Sequence, residues 1–347
     1  MAAPVLKDVK KILIINLGGI GDMLLSFPAV GALRAAYKDA SIDVLVVERV
    51  YELVKDSGVF DNIFIYKKGK LGNAWLLSAL RKNNYDLAVN MRTMVSRVSS
   101  IKMFLLMSVI NPRIRAGRDT DGRGFFFDIK IPETLIGDKH ETEYDIDMAQ
   151  ALGAKVTDRT LHFNVDRSSA DMVKGILEGR GIRDGDCVIG INAGGMPSRR
   201  WPVENIAKVM QAVARIKPCI FVLTGSKSER SYVERLSAVS GARAVNLAGE
   251  LSLNELGALM ERCNLYISND TGPLHIAAIL KRPLIAIFGP GYIKRFDPRF
   301  ISDNAVVFYK PVFCAPCDKQ KCMNMRCLVS VTPEEVTASA LRLLEIK

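Results

Sequence analysis

Short apolar runs of β type alternate with helical stretches along this chain, and the alternation runs through two separate series. ILIINL, IDVLVV, NIFIY and DLAVN form the first, and CVIGIN, CIFVLTG, AVNLAG, LYIS and LIAIFG the second. Between them lie stretches of helical period such as FPAVGALRAAY, NIAKVMQAVARI and LNELGALMERC. Strand and helix in strict succession predict parallel sheets covered by helices on both faces. The first series runs to about residue 130, and the second starts afresh at Cys187 after the polar, helix-like SADMVKGILEGRGIRDGD. At 347 residues the chain exceeds one ordinary core. The expected fold is therefore α/β, two doubly wound Rossmann-like domains facing a central cleft, at residues 1–170 and 171–347. TPEEVTASALRLLEIK reads as a capped C-terminal helix, free to pack back on the first domain.

The composition narrows the partners. A net charge of +11 favours polyanions, anionic lipid or phosphorylated substrates. The basic residues are scattered, with no interleaved aromatic and basic module, so nucleic acid is not expected as a partner. No apolar run approaches a membrane span, and the N-terminus passes from its apolar segment into Asp22 without a cleavage site, so a cytoplasmic protein is expected. RVSSIKMFLLMSVINPRIR is apolar and basic; it reads first as a core-packing helix and second as a segment resting on the inner membrane surface.

Three turns carry chemistry. In YISNDTGPLHIAAIL a strand ends at Ser268, and the turn Asn269, Asp270, Thr271, Gly272 opens a helix with Pro273 in its first turn. A helix N-terminus of this kind holds phosphate, with Gly272 allowing close approach. In GINAGGMPSRRWP, Gly194 and Gly195 offer backbone amides to a diphosphate, and Arg199 offers charge-assisted hydrogen bonds. In LGGIGDM, by contrast, the carboxylate of Asp22 beside Gly18, Gly19 and Gly21 would repel a phosphate; a sugar hydroxyl is the better neighbour. Asp22 also reads as a helix cap, since it precedes MLLSFPAV.

GGIGD, SRRWP and NDTGPLHIAA followed by FGP, in that order and with KHETEYDIDMAQALGA before the linker, resemble glycosyltransferase family 9, the ADP-heptose:lipopolysaccharide heptosyltransferases. The resemblance covers nearly the whole chain. It implies a GT-B fold, an acceptor-binding N-terminal domain, a donor-binding C-terminal domain, and inverting transfer from a nucleotide-activated sugar. Asp22 then stands where family members place the proposed general base. Asp270, Thr271, Gly272 and His275 form the implied donor turn, although His275 reads equally as a buried helix residue. Arg199 replaces a lysine near the donor phosphates, Gly194 and Gly195 replace threonines, and Ser226 and Glu229 fall near the ribose. Gly19, Gly21, Arg118 and Arg123 lie in the acceptor half, where the cations, with Lys130, could hold the phosphates or carboxylates of a lipopolysaccharide core or lipid A-linked acceptor. The implied location is cytoplasmic or peripheral at the inner membrane.

No paired Asp motif for a catalytic metal stands beside the donor turns, so no cofactor is expected for catalysis, and Arg199, Arg200 and the helix start after Thr271 would meet the leaving charge. CAPCDKQKCMNMRC places Cys314, Cys317, Cys322 and Cys327 close together, consistent with either a structural zinc or iron site or reduced thiols in a closing loop. The alternatives are a GT-B transferase using another nucleotide sugar, an NAD-dependent oxidoreductase, disfavoured because GGxG is not GxGxxG, and a non-catalytic metal-containing binding protein.

Overall fold

The computed structural model of the chain describes residues 6–67, 73–317 and 319–345, in two compact units, Met1–Leu161 and His162–Lys347. The first contains β1 (Lys11–Asn16), α1 (Ile20–Ala36), β2 (Ser41–Val47), α2 (Tyr51–Lys55), β3 (Asn62–Tyr66), α3 (Asn73–Lys82), β4 (Leu87–Asn90), α4 (Arg97–Ile110), β5 (Ile114–Thr120), β6 (Ile129–Glu133) and α5 (Glu141–Ala151). The second contains α6 (Arg167–Gly179), β7 (Val188–Asn192), α7 (Val203–Ile216), β8 (Ile220–Thr224), α8 (Arg230–Ser240), β9 (Ala244–Asn246), α9 (Leu253–Arg262), β10 (Leu265–Asn269), α10 (Gly272–Ile279), β11 (Leu284–Phe288), α11 (Ile293–Phe296), β12 (Ala305–Tyr309), α12 (Arg326–Val329) and α13 (Pro333–Glu345). The expected boundary at 170/171 would cut α6, which packs on α9 of the second unit. Phe163 and Val165 already lie against Gly257 of α9, so the chain has joined that unit before α6 begins. The terminal helix α13 packs on α7 and buries Val336, Ala340 and Leu344 in the core of its own unit.

Among the described residues each unit holds one six-stranded sheet, ordered β3-β2-β1-β4-β5-β6 and β12-β11-β10-β7-β8-β9. The pairings are parallel, with Ile14 of β1 in register with Val44 and Val89. The near-continuous apolar runs follow from this placement. Ile12 and Ile14 of β1 face a cluster with Met148 and Leu152, whereas Leu13 and Ile15 face one with Leu80 and Met107. Strand order reverses between β1 and β4 in the first unit and between β7 and β10 in the second. In open parallel sheets the crevice for ligands lies at the carboxyl ends of such a pair.

Two strands, β5 and β6, lie outside the apolar pattern of the sequence, and β12, although its AVVFY is apolar, is a further strand beyond the runs named above. IRAGRDT is too polar to announce itself, yet it forms β5, with Ala116, Gly117 and Arg118 buried. Arg118 is wholly buried. Its guanidinium bonds Asp145, bonds Glu141 at 2.5 Å and stands 3.5 Å from Glu133, while the Tyr144 ring centroid lies 5.4 Å away. Glu141 and Asp145 sit one helical turn apart on α5 and so present both carboxylates on one face. Burial pushes Asp145 up to about 7, against the pull of Arg118 and with the help of Glu141. The expectation that Arg118 holds an acceptor is thereby corrected: three internal carboxylates occupy it. Arg123 is also engaged, donating to the Met94 carbonyl at 2.9 Å and lying 3.4 Å from Asp121, and Lys130 lies 3.6 Å from Asp119. The helix α4 is only half a core helix, burying Ser100, Met103, Met107 and Ile110.

Removing Arg118 leaves its carboxylates without a counter-charge in the interior. Arg118→Ala is expected to lose about 3–5 kcal/mol of stability in urea unfolding at neutral pH. A variant that unfolds like the parent and changes only the acceptor KM would restore the surface role.

Candidate functional site

In the first unit, β1 ends at Asn16, whose side chain organises the turn that follows. Its Oδ1 accepts the Gly18 N–H at 3.2 Å, and its Nδ2 donates to the Asp22 carbonyl at 3.3 Å and to the Ser26 Oγ at 3.2 Å. The chain then enters α1 with Gly19 as N-cap. A Cβ on Gly18 would fall 2.6 Å from the Cβ of Asp22, so this glycine makes room for a carboxylate rather than for a phosphate. Asp22 is the third helical residue, not the N-cap, and its Oδ2 reaches back to accept the Gly19 N–H at 2.6 Å. Its Oδ1 lies 3.5 Å from the Nη2 of Arg92, which follows β4 across the strand reversal and donates from Nη1 to the Leu17 carbonyl. The Asp22 side chain keeps 21% of its surface exposed. Gly19 spends its amide on Asp22, and Gly21 is buried in the first turn of α1, so the two glycines shape the turn and are not placed as ligand donors. Behind them the Ser26 hydroxyl donates to Asp145 at 2.6 Å, tying α1 to the buried Arg118 cluster.

The second unit repeats the device. Asn192 closes β7, accepts the Gly194 N–H at 3.3 Å and donates to the Thr271 hydroxyl at 2.8 Å. From β10, Asn269 donates to the Ala193 and Gly194 carbonyls, both at 3.0 Å, and accepts the Trp201 N–H at 3.1 Å. Trp201 is fully buried, and its indole N–H donates to the Val331 carbonyl, which pins the SRRWP segment to the core. Arg199 then reaches across to Asp270, Nη1 to Oδ2 at 2.9 Å. Its Nε–H is buried and has no partner among the described residues. A Cβ on Gly291 would come 2.1 Å from the Asp270 Oδ2, so the FGPG turn must carry glycine there. Thr271 is the N-cap of α10 without a side-chain cap bond; of the first three helical residues Pro273 has no N–H and the Leu274 N–H donates to the Thr271 carbonyl at 3.1 Å, which leaves the Gly272 amide for an anion.

Gly194 and Gly195 differ from expectation. The Gly195 N–H donates to the Glu229 Oε1 at 2.6 Å, and a Cβ on Gly194 would fall 2.5 Å from the Glu229 Oε2. These glycines admit a carboxylate, and their amides are not left for a diphosphate. Glu229 also accepts the Ser226 N–H and hydroxyl, each at 2.8 Å, and pairs with Arg200 at 3.0 Å. Arg200 in turn donates to the Gly195 carbonyl and lies over the Tyr232 ring, so it braces the loop. Burial pushes the Glu229 carboxyl up, but the Ser226 and Gly195 amides, the Ser226 hydroxyl and Arg200 outweigh it and hold it below its usual range. His275 is buried at 3% exposure with its ring against Phe296. Arg92 and Gly291 lie outside the motifs, and Asn192 and Asn269 lie inside them without a role that the sequence shows; nearness in space reveals what the four do.

A family model for glycosyltransferase family 9 (heptosyltransferase) matches residues 74–327. The chain belongs to that family. It is 25% identical over 343 residues to the lipopolysaccharide heptosyltransferase 3 of Escherichia coli K12, covering 93% of this chain and 95% of that one. Two solved structures share its fold. The family 9 glycosyl transferase of Veillonella parvula matches with a TM-score of 0.76 at 22% identity over 99% of both chains. The E. coli ADP-heptose lps heptosyltransferase II matches with a TM-score of 0.70 at 23% identity over 96% of this chain and 98% of that one. The protein is thus a glycosyltransferase of the GT-B class.

In this glycosyltransferase the cysteine segment lies beside the SRRWP and FGPG turns. Cys314, Cys317, Cys322 and Cys327 line a cavity of about 220 Å³ with Ser198 and Pro290. The Cys317 N–H donates to the Pro290 carbonyl, and the Ser198 N–H to that of Gln320. Of the two readings of this segment, the structural zinc or iron site is not supported: among the described residues no three His, Cys, Asp or Glu side chains are placed to hold one ion. The thiols differ instead in environment. Backbone N–H groups of Met325 and Asn324 draw Cys322 down, and burial pushes Cys327 up.

The Glu229 network predicts an acid-sensitive turn. A carboxyl held below its unfolded value of 4.5 stabilises fully above that pH, and the contribution is lost as pH falls through the folded value. Glu229→Gln is expected to lose about 2 kcal/mol at pH 7, with the difference from the parent shrinking between roughly pH 5 and 3 in thermal melts. Parallel acid profiles for the two proteins would remove the charge from this account.

Proposed function

We propose that this glycosyltransferase moves a heptose from ADP-heptose to a lipopolysaccharide core saccharide with inversion at the anomeric carbon. The family membership and the lipopolysaccharide heptosyltransferases among its relatives support the donor and acceptor classes. The observation that carries the reading is the pairing of Arg199 with Asp270 beside the open N-terminus of α10, at the strand reversal of the second unit. An isolated Asp270 would oppose a diphosphate. Paired with Arg199 it is neutralised, and the partnerless Arg199 Nε–H and the Gly272 amide at the start of α10 supply donors for the phosphate oxygens.

Donor binding is assigned to the second unit and proton removal to Asp22 of the first. The acceptor oxygen attacks the anomeric carbon, the bond to the diphosphate breaks with its electron pair leaving on phosphate oxygen, and the hydroxyl proton passes to the Asp22 carboxylate. Oδ2 is held by the Gly19 amide, which fixes the carboxylate, while Oδ1 faces Arg92. Arg92 lies 3.5 Å from that oxygen and is assigned a positioning role. Glu229 and Ser226, engaged with one another, are assigned to the ribose edge of the donor. His275 supports the turn from within. No metal enters a step: the leaving charge is met by Arg199 and the helix start.

Asp22→Asn keeps an oxygen for the Gly19 amide and removes the basicity. Its kcat is expected to fall by roughly 100-fold or more, with ADP affinity and melting temperature near those of the parent. Near-normal turnover would refute the base. Arg199→Gln should raise the donor KM by roughly 10- to 100-fold, because Asp270 then faces the diphosphate unpaired. Activity is expected to persist in chelator; its loss on chelation and return with a divalent ion would overturn the metal-free assignment.

A further inference from the structure

The helix α4 has two apolar faces, and only one of them is covered. At about 100° per residue, the buried Ser100, Met103, Met107 and Ile110 fall on one side. Val98, Ile101, Leu105 and Val109 fall within an arc of about 80° on the other. They are exposed to 60%, 53%, 56% and 42% in the whole chain. Phe125, 62% exposed, stands beside the helix with its ring 5.8 Å from that of Phe104. A contiguous apolar stripe of this kind on a soluble surface marks an interaction site.

The charges around it select the partner. Arg97 and Lys102 are exposed and flank the stripe on opposite sides. Beside α4 packs α3, which adds Arg81 and Lys82; the Arg81 guanidinium donates to the Val109 carbonyl at 3.0 Å, at the far end of the stripe. Neither NAWLLSALRK nor RVSSIKMFLLMSVI contains a carboxylate. Apolar side chains in the middle and cations at both rims fit a surface that is hydrocarbon beneath and anionic on top. A second copy of the chain fits worse, because a twofold contact through this stripe would bring its cationic rims together.

We propose that this face of α4, with its basic rim, docks the protein on an anionic lipid bilayer, the helix lying in the plane of the headgroups. Among the described residues no helix is long and apolar enough to cross a membrane, so the contact is peripheral. A six-residue segment connects the end of β4 to the start of the helix, and it contains Arg92, the partner of Asp22. The docked helix therefore begins at the same sheet edge that carries the acidic turn. Its use in reaching a lipid-linked acceptor rests on the function proposed above; the docking surface itself does not.

The test is co-sedimentation of the full chain with vesicles of phosphatidylglycerol and phosphatidylethanolamine, against phosphatidylcholine alone, at low and high salt. Binding is expected to be at least roughly tenfold stronger to the anionic vesicles and to weaken with salt. Ile101→Asn/Leu105→Asn and Arg97→Glu/Lys102→Glu should each reduce it by roughly tenfold or more, with melting temperature and ADP affinity retained because the four side chains are exposed. Binding that is equal on both lipids, or unchanged in both variants, overturns the proposal. So does a parent that sediments as a dimer and an Ile101→Asn/Leu105→Asn variant that sediments as a monomer, which would assign the stripe to self-association. Transfer to a water-soluble saccharide acceptor should be unaltered in both variants. Lipid binding without any transfer would refute the proposed function and leave this surface standing.

Discussion

An asparagine at the end of a central strand holds each half of this protein in working order. Asn16 and Asn192 both accept the amide of the glycine two residues on, and both send their Nδ2 to the element across the turn. A side-chain amide suits this place because it satisfies a backbone donor and reaches a second partner at once. Both asparagines are almost fully buried, so a failed bond at either would leave a polar group unsatisfied in the core. The consequence is a fixed turn at the point where strand order reverses, which is where an open parallel sheet offers its loops to a ligand.

The same local geometry serves different chemistry because of what each turn meets. After β1 the glycines make room for Asp22, a residue of their own helix, and the carboxylate is gripped by the amide of Gly19. After β7 they make room for Glu229, which arrives from beyond the next strand and is gripped by the amide of Gly195. Glycine-rich turns are commonly read as cradles for phosphate. In this chain both close on carboxylates, and the anion binding proposed above is assigned instead to Arg199 and to the Gly272 amide at the start of α10.

Much of this was legible in the sequence where burial is apolar, and much was hidden where it is polar. The runs ILIINL and CVIGIN announce β1 and β7 because both faces of those strands are covered, and the order of the motifs identifies the family. The strand β5 announces nothing, since its central Arg118 is neutralised by Glu141 and Asp145 from a helix more than twenty residues away. A polar strand stabilised by such partners looks like a loop until the partners are known. The same limit hid Arg92, which acts on Asp22 only because β4 lies beside β1. The sequence left two readings of α4 for a different reason: a helix with two apolar faces has little net asymmetry, and hydropathy alone does not say which face the sheet will cover.

The buried Arg118 cluster explains why so polar an arrangement is tolerated at the heart of the first unit. Replacing a buried ion network by apolar side chains often stabilises a protein, so stability by itself is a weak reason for it. Position is a better one. The single hydroxyl proton of Ser26 is shared between the Asp145 carboxylate at 2.6 Å and the Asp22 carbonyl at 2.8 Å, so the cluster touches the turn of α1 that carries the proposed base. An apolar core would hold α1 against the sheet but leave its rotation to packing alone, whereas hydrogen bonds to Asn16, Ser26 and Gly19 set the first turn in one orientation. A carboxylate that must meet a hydroxyl proton within hydrogen-bond reach needs that accuracy more than it needs an unusual proton affinity.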